Sequence, residues 1–199
     1  MEDNVALKGI ATQSSTYQGI YFAHFAIDGI TESSSYISPC THTNMDYNAW
    51  WRLDLLAVHD IKNVIITNRG EGTSERLNDA EIHIGNSLDN NGNNNPRCVV
   101  IASIPDGGTK NYTCNMRGRY VNVIIPKIAQ FLSLCEVEVY GFPVPAIKMA
   151  LLRLKFNSSE DLTNSDMRDK VLHKMKSANL PSSIFHLSWT KEPELEKET

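Results

Sequence analysis

Apolar residues recur along this chain at every second position, in short runs separated by polar turns. The run from Ala49 to Leu55 alternates between core and surface, with Trp50 and Trp51 carrying much apolar area. Val64 to Thr67 reads as a buried strand that runs into Asn68 and Arg69. Alternation returns from Ala80 to Gly85, and the stretches Tyr120 to Ile125 and Cys135 to Tyr140 close the pattern. Between them, Asp89 to Pro96 is a turn region rich in Asn and Gly. Short strands at regular spacing, with no helical period, predict a mainly β protein, a jelly-roll β-sandwich over residues 1–141.

The period changes after Gly141. Phe142-Pro143-Val144-Pro145 opens a linker over 142–146, because two prolines so close cannot continue a central strand. Residues 147–199 predict a small β-α-β extension. Its strands are Ile147 to Phe156 and Ile184 to Trp189, and its helix runs from Ser165 to Ser177. Met167, Val171 and Met175 form the helix stripe, Thr163 and Asp166 a capping box, and Glu192 to Thr199 a charged end. A unit of this size is small for a core of its own. It is expected to dock on the sandwich or to join several copies into a homo-oligomer.

Composition narrows the function by exclusion. The 199 residues are 41% hydrophobic and 21% charged, ordinary for a globular protein. A net charge of −4 without a basic stripe excludes a nucleic-acid partner, and no apolar run approaches a membrane span. The start, Met1-Glu2-Asp3-Asn4, lacks the basic and apolar regions of a signal peptide. A cytosolic chain, or a mature secreted domain with its leader removed, is therefore expected. No G-x-S-x-G elbow or H-E-x-x-H motif is present, so an enzyme is not expected.

The candidate chemistry lies between His42 and Arg76. Twenty-six residues separate His42 from Arg69, Glu71 follows two positions later, and four residues separate Glu71 from Arg76. Two guanidiniums offer fixed forks of donors to vicinal hydroxyls, and an imidazole adds a donor or acceptor. This spacing resembles the sugar-binding signature of the F-type lectins (fucolectins), which are discoidin-like β-sandwiches. Their pattern is His, 26 residues, Arg-x-Asp, four residues, then Arg or Lys, and here Glu71 stands at the Asp position. Asn4 to Ser15 and Ala26-Ile27-Asp28-Gly29 match the family as well, and the match ends near Gly141.

The resemblance implies a lectin that binds terminal L-fucose on glycans, serves innate recognition and is secreted. It implies His42, Arg69, Arg76, Tyr36 and Glu71 as the sugar site, and the Trp50-Trp51 pair as core rather than as a sugar-stacking surface. It also implies a structural Ca2+ held by Asp28, Ile30, Pro39, Cys135 and Glu136, with a carbonyl from Phe25. Four cysteines allow three pairings; the resemblance selects Cys40–Cys135 and Cys98–Cys114. Type members carry adjacent cysteines against the sugar where this chain has Gly72-Thr73. Tyr17 to Phe25 is a loop crowded with aromatics that either borders the sugar pocket or tucks onto the core. Asn111-Tyr112-Thr113 and Asn157-Ser158-Ser159 are glycosylation sequons, consistent with secretion. The rival reading is a discoidin-like domain that binds protein or phospholipid and keeps a degenerate sugar site.

Overall fold

The computed structural model describes residues 3–34, 37–145 and 164–179, the last with side chains to 174. The chain divides into two compact units, Met1–Ile147 and Lys148–Thr199.

The first unit is built of strands Ile10–Gln13 (β1), Thr41–His42 (β2), Asp46–Tyr47 (β3), Trp50–Thr67 (β4), Glu81–Gly85 (β5) and Arg97–Val100 (β6). Thr109–Ile124 (β7), Ala129–Gln130 (β8), Ser133–Leu134 (β9) and Glu136–Pro143 (β10) complete it. Among the described residues, one antiparallel sheet runs β1-β4-β7-β5-β6, with β10 also on β4. The front of β4 pairs with β1 at Trp51 to Asp54, and its back pairs with β10 at His59 to Thr67. β7 lies along both parts. The register slips between Asp54 and His59, where Leu56 takes a φ of 65°. Such irregularities bend a strand.

The bend lets one sheet close on a single core. Trp51, Leu53 and Val123 from the front part and Val64, Ile66 and Val137 from the back part are all buried in the same cluster. Each such side chain contributes about 1.5–3 kcal/mol by leaving water. The result is the β-sandwich that the alternation predicts.

Two expectations change in detail. The runs Ala49 to Leu55 and Val64 to Thr67 belong to one strand of 18 residues. Between them Asp60 takes a bidentate bond from Arg117, at 2.7 and 2.9 Å, so apolar alternation lapses while backbone pairing continues. The tryptophans also separate. Trp51 is fully buried and donates from Nε1 to the Ala23 carbonyl at 2.9 Å. Trp50 is only half-buried, with the Arg52 guanidinium 5.4 Å from its ring. Neighbours on a strand face opposite sides, so only one of the pair can be core.

β10 continues past Gly141 through Phe142 and Pro143, which pair with Asp60 and His59. Proline is tolerated there because, past the Asn4–Tyr140 bridge, the end of β10 pairs on one side only, with β4. Both expected disulfides are formed, Cys40–Cys135 and Cys98–Cys114.

In the second unit the described element is the helix Ser165–Asn179 (α1). Asn164 caps it, its Oδ1 accepting from the Asp166 amide at 2.8 Å. Met167 and Val171 are half-buried. Thr163, the Met175 side chain and both strands expected around the helix lie outside the described residues.

The two tryptophans give a direct check of the packing. Trp51→Ala should cost about 3–5 kcal/mol in urea unfolding, as deletion of a buried aromatic does. Trp50→Ala should cost about 0.5–1 kcal/mol, the scale of an exposed cation–π contact.

Candidate functional site

His42 is placed by long-range pairing. β2 runs antiparallel to β9, with His42 opposite Ser133, and the Cys40–Cys135 bond closes the pair two residues before His42. The neighbouring Thr43 exchanges bonds with Leu132: its amide donates to the Leu132 carbonyl at 3.0 Å, and its hydroxyl accepts from the Leu132 amide at 2.9 Å. His42 is 5% exposed. Its Nδ1 lies 2.6 Å from the Thr43 carbonyl, which fixes the proton there. That leaves Nε2 as the acceptor for the Arg76 guanidinium, 3.0 Å away.

The arginines come from one loop after β4. Asn68, 1% exposed, anchors it by donating to the carbonyls of Ile104 at 2.9 Å and Ser74 at 3.3 Å. Its Oδ1 accepts from the Arg69 amide at 2.8 Å. The amides of Thr73 and Ser74 both donate to Asp106 Oδ1. Arg69 is locked by an ion pair from Nε to Glu71 Oε2 at 2.5 Å. Arg76 sits in the 3-10 turn Ser74–Leu77, which the buried Leu77 holds down. The side chains of His42, Arg69 and Arg76 therefore share one site, with Glu71 holding an arginine fork. Tyr36 lies outside the described residues.

Burial first, then the charges of Arg76 and Arg69, lower the basicity of His42 against the Thr43 bond that raises it. Burial and the Arg69 charge likewise lower that of Arg76. The imidazole is thus neutral between two cations, with its lone pair on one of them.

Aromatic rings complete the site. Tyr17 packs on His42 with centroids 4.6 Å apart, and Tyr21 lies 5.9 Å away. The loop crowded with aromatics therefore splits: Tyr17 and Tyr21 border the site, whereas Phe22, His24 and Phe25 cluster with one another. Gln13 ties the bordering part down, donating from Nε2 to the Tyr21 carbonyl at 2.8 Å and to the His42 carbonyl at 3.4 Å. Phe131 was not among the sequence candidates. Its ring stands edge-on to His42 at 5.2 Å and lies 5.0 Å under the Arg76 guanidinium. No local pattern marks it, because it reaches the site only through the pairing of β9 with β2.

The expected ion ligands form a second group. Glu136 is fully buried at the start of β10, and its Oε1 accepts from the Gly29 amide at 3.1 Å. Its Oε2 has no hydrogen-bond partner among the described residues. Burial, with the nearby Asp28 charge adding to it, pushes the Glu136 carboxyl up to about 8. The Asp28 carboxylate accepts from the Ile30 amide at 2.9 Å. Ile30 and Pro39 are exposed on the same loop, Phe25 is half-buried, and Cys135 is held in its disulfide. Among the described residues no three His, Cys, Asp or Glu side chains cluster. An ion here would rely on two carboxylates and backbone carbonyls, a donor set suited to a hard cation. The orphaned Glu136 oxygen fits such a cation, since a buried carboxylate needs a proton or a positive partner.

Comparison with known proteins places the whole arrangement. The NedA-like, galactose-binding domain family matches residues 25–123. Fucolectin-4 of the eel Anguilla japonica is 51% identical over 145 residues, covering 70% of this chain and 80% of that one. The chain belongs to the F-type lectin (fucolectin) family. A striped bass (Morone saxatilis) serum F-lectin of known structure superposes with a TM-score of 0.70 at 50% identity, over 72% of this chain. The chain spans 48% of that bass lectin, about half its length. The lectin domain of Lectinolysin, solved as a mutant with Lewis b, superposes with a TM-score of 0.62 at 31% identity, over 70% and 96% of the two chains. These relatives are lectins, and the family member described here is a binding protein and not an enzyme. No described helix is long and apolar enough to cross a membrane.

The neutral histidine makes the site sensitive to acid. Its folded-state pKa lies below the unfolded value of 6.5, so its stabilisation is present above that value and fades as pH falls through the folded one. Protonation removes the Nε2 lone pair that accepts from Arg76. Thermal melts should show a loss below pH 6.5 that His42→Gln flattens, because an amide oxygen still accepts from Arg76 and does not titrate.

Proposed function

We propose that this fucolectin binds terminal L-fucose on glycans and does no chemistry on it. The convergence of His42, Arg69 and Arg76 in one site, walled by Tyr17 and Phe131, carries the reading. Arg76 and Arg69 point donors at the hydroxyl edge of the sugar. The rings of Tyr17 and Phe131 supply apolar contact for its methyl corner. Glu71 keeps the Arg69 fork from turning away, which lowers the ordering cost when sugar arrives. Secretion, fucosylated glycoproteins as partners and a part in innate recognition belong to the same proposal.

The rival, a protein- or lipid-binding domain with a worn sugar site, draws on Gly72. That residue stands at a φ of +67° with open space around it, where type members place a sulfur contact. Free fucose separates the two readings: it displaces the ligand of a lectin and leaves that of the rival in place.

A glycan array with calcium should show fucosylated glycans bound by the wild type. Arg69→Ala should weaken them by about 10- to 150-fold, the loss of a charge-assisted bond of about 1.5–3 kcal/mol. An array without fucose signal would sink the proposal.

We also propose that Asp28 and Glu136 hold a structural calcium, with carbonyls of the 25–39 loop and of Cys135. Glu136 has a folded pKa of about 8, above the ordinary 4.5. The cation-free protein therefore loses stability as pH rises from about 4.5 to about 8. A bound cation offsets that loss by mass action. The calcium-induced rise in Tm should be larger at pH 8.5 than at pH 6, and Glu136→Gln should abolish it. Equal melting with and without chelator at pH 8.5 would remove the ion.

A further inference from the structure

The wall of the site continues outward as a narrow ribbon. β3 pairs with β8, with Asp46 opposite Gln130 and Tyr47 opposite Ala129. The Asn48 amide extends the ribbon by donating to the Ile128 carbonyl at 3.1 Å. Phe131, which touches both His42 and Arg76, lies two residues beyond Ala129. Residues two apart on a strand, and residues directly opposite, share a face. Tyr47 and Ala129, directly opposite, therefore share a face, and Phe131 follows one residue past the end of β8, just before Leu132 pairs with Thr43. The opposite side is held down: the Asp46 carboxylate accepts from the hydroxyls of Ser14 and Ser15, at 2.6 and 2.5 Å.

On the free side Tyr47 is 68% exposed, and Met45, at the turn leading into the ribbon, is 58% exposed. This exposed ring stands opposite Ala129, two residues along the chain from the pocket wall at Phe131, and offers a flat apolar platform beside the site. The ribbon is too narrow for a protein partner, since stable interfaces bury about 1,000 Å² or more. It suits a flat ring with an apolar face and a polar rim. The site itself supplies one. A terminal sugar gripped by its hydroxyl edge leaves its glycosidic bond outside the pocket, so the next pyranose lies against a wall.

We propose that Tyr47, flanked by Met45 and Ala129, is a second sugar subsite that stacks the pyranose linked to the fucose in the pocket. This rests on the fucose-binding reading above. The Tyr47 ring packs on the C–H face of that pyranose, and its hydroxyl bonds to the rim. Specificity among fucosylated glycans then follows from which linkage lays the second ring on Tyr47.

Calorimetry on the full chain with methyl α-L-fucoside and with fucosyl-α1,2-galactose tests it. The disaccharide should bind the wild type about two- to tenfold more tightly, the scale of one aromatic contact. Tyr47→Ala should bring the ratio of the two affinities to about one, and Tyr47→Phe should keep most of it; circular dichroism confirms that both variants fold. A wild-type ratio of one, or a ratio that survives Tyr47→Ala, overturns the subsite while the fucose pocket stands. Absence of methyl fucoside binding in the wild type overturns the pocket and the subsite together. A fall in sedimenting mass in Tyr47→Ala, with the ratio intact, assigns the face to a second copy of the chain and overturns the subsite.

Discussion

The pairing of β2 with β9, closed by the Cys40–Cys135 bond, is the contact on which the binding end depends. The two cysteines are 95 residues apart in sequence, so nothing local holds these segments together. On the loop-entropy view a bridge over such a span restricts the unfolded chain by about 4.7 kcal/mol. Its structural effect reaches further. It sets His42 opposite Ser133, delivers Phe131 to the imidazole and fixes Glu136 beside the Gly29 amide. The candidate binding site and the candidate ion site are thus the two sides of one junction.

The charges of the site are arranged around that junction with little freedom. Two arginines and a buried histidine in one place would repel if all were charged. The tertiary structure resolves this by pairing Arg69 with Glu71 and by keeping His42 neutral, its lone pair turned to Arg76. Arg76 also rests on the face of Phe131, where the ring quadrupole favours a cation. The loop that carries both arginines is tied at Asn68 and at Asp106, so donor positions are set before any ligand arrives. Preorganisation of this kind is what weak, single-site sugar binding needs.

Much of this was legible in the chain itself. Alternation at period two marked β5 and β10, because each turns one face to the core, whereas the end of β7, from Tyr120 to Ile124, is buried on both faces. The spacing of His42, Arg69, Glu71 and Arg76, through its resemblance to the lectin signature, marked side chains that the fold brings together, since the turn that presents both arginines is local and short. Where the pattern misled, the cause was physical. Trp50 and Trp51 have the same hydropathy, yet strand geometry sends them to opposite faces, and only Trp51 finds a partner in Ala23. β4 read as two strands because Asp60 is polar, although Arg117 matches it across the sheet.

By itself the sequence determined the β class, the residue types at the site and their order along the chain. Those follow from local periodicity and short spacings. Only the tertiary structure decided which aromatic rings enclose the histidine and which tautomer it holds. It likewise decided that Glu136 is buried with one oxygen unpartnered among the described residues, and that Tyr47 stands exposed opposite Ala129. Each of these depends on segments brought together from far apart in the chain, and burial and register exist only once those segments have met.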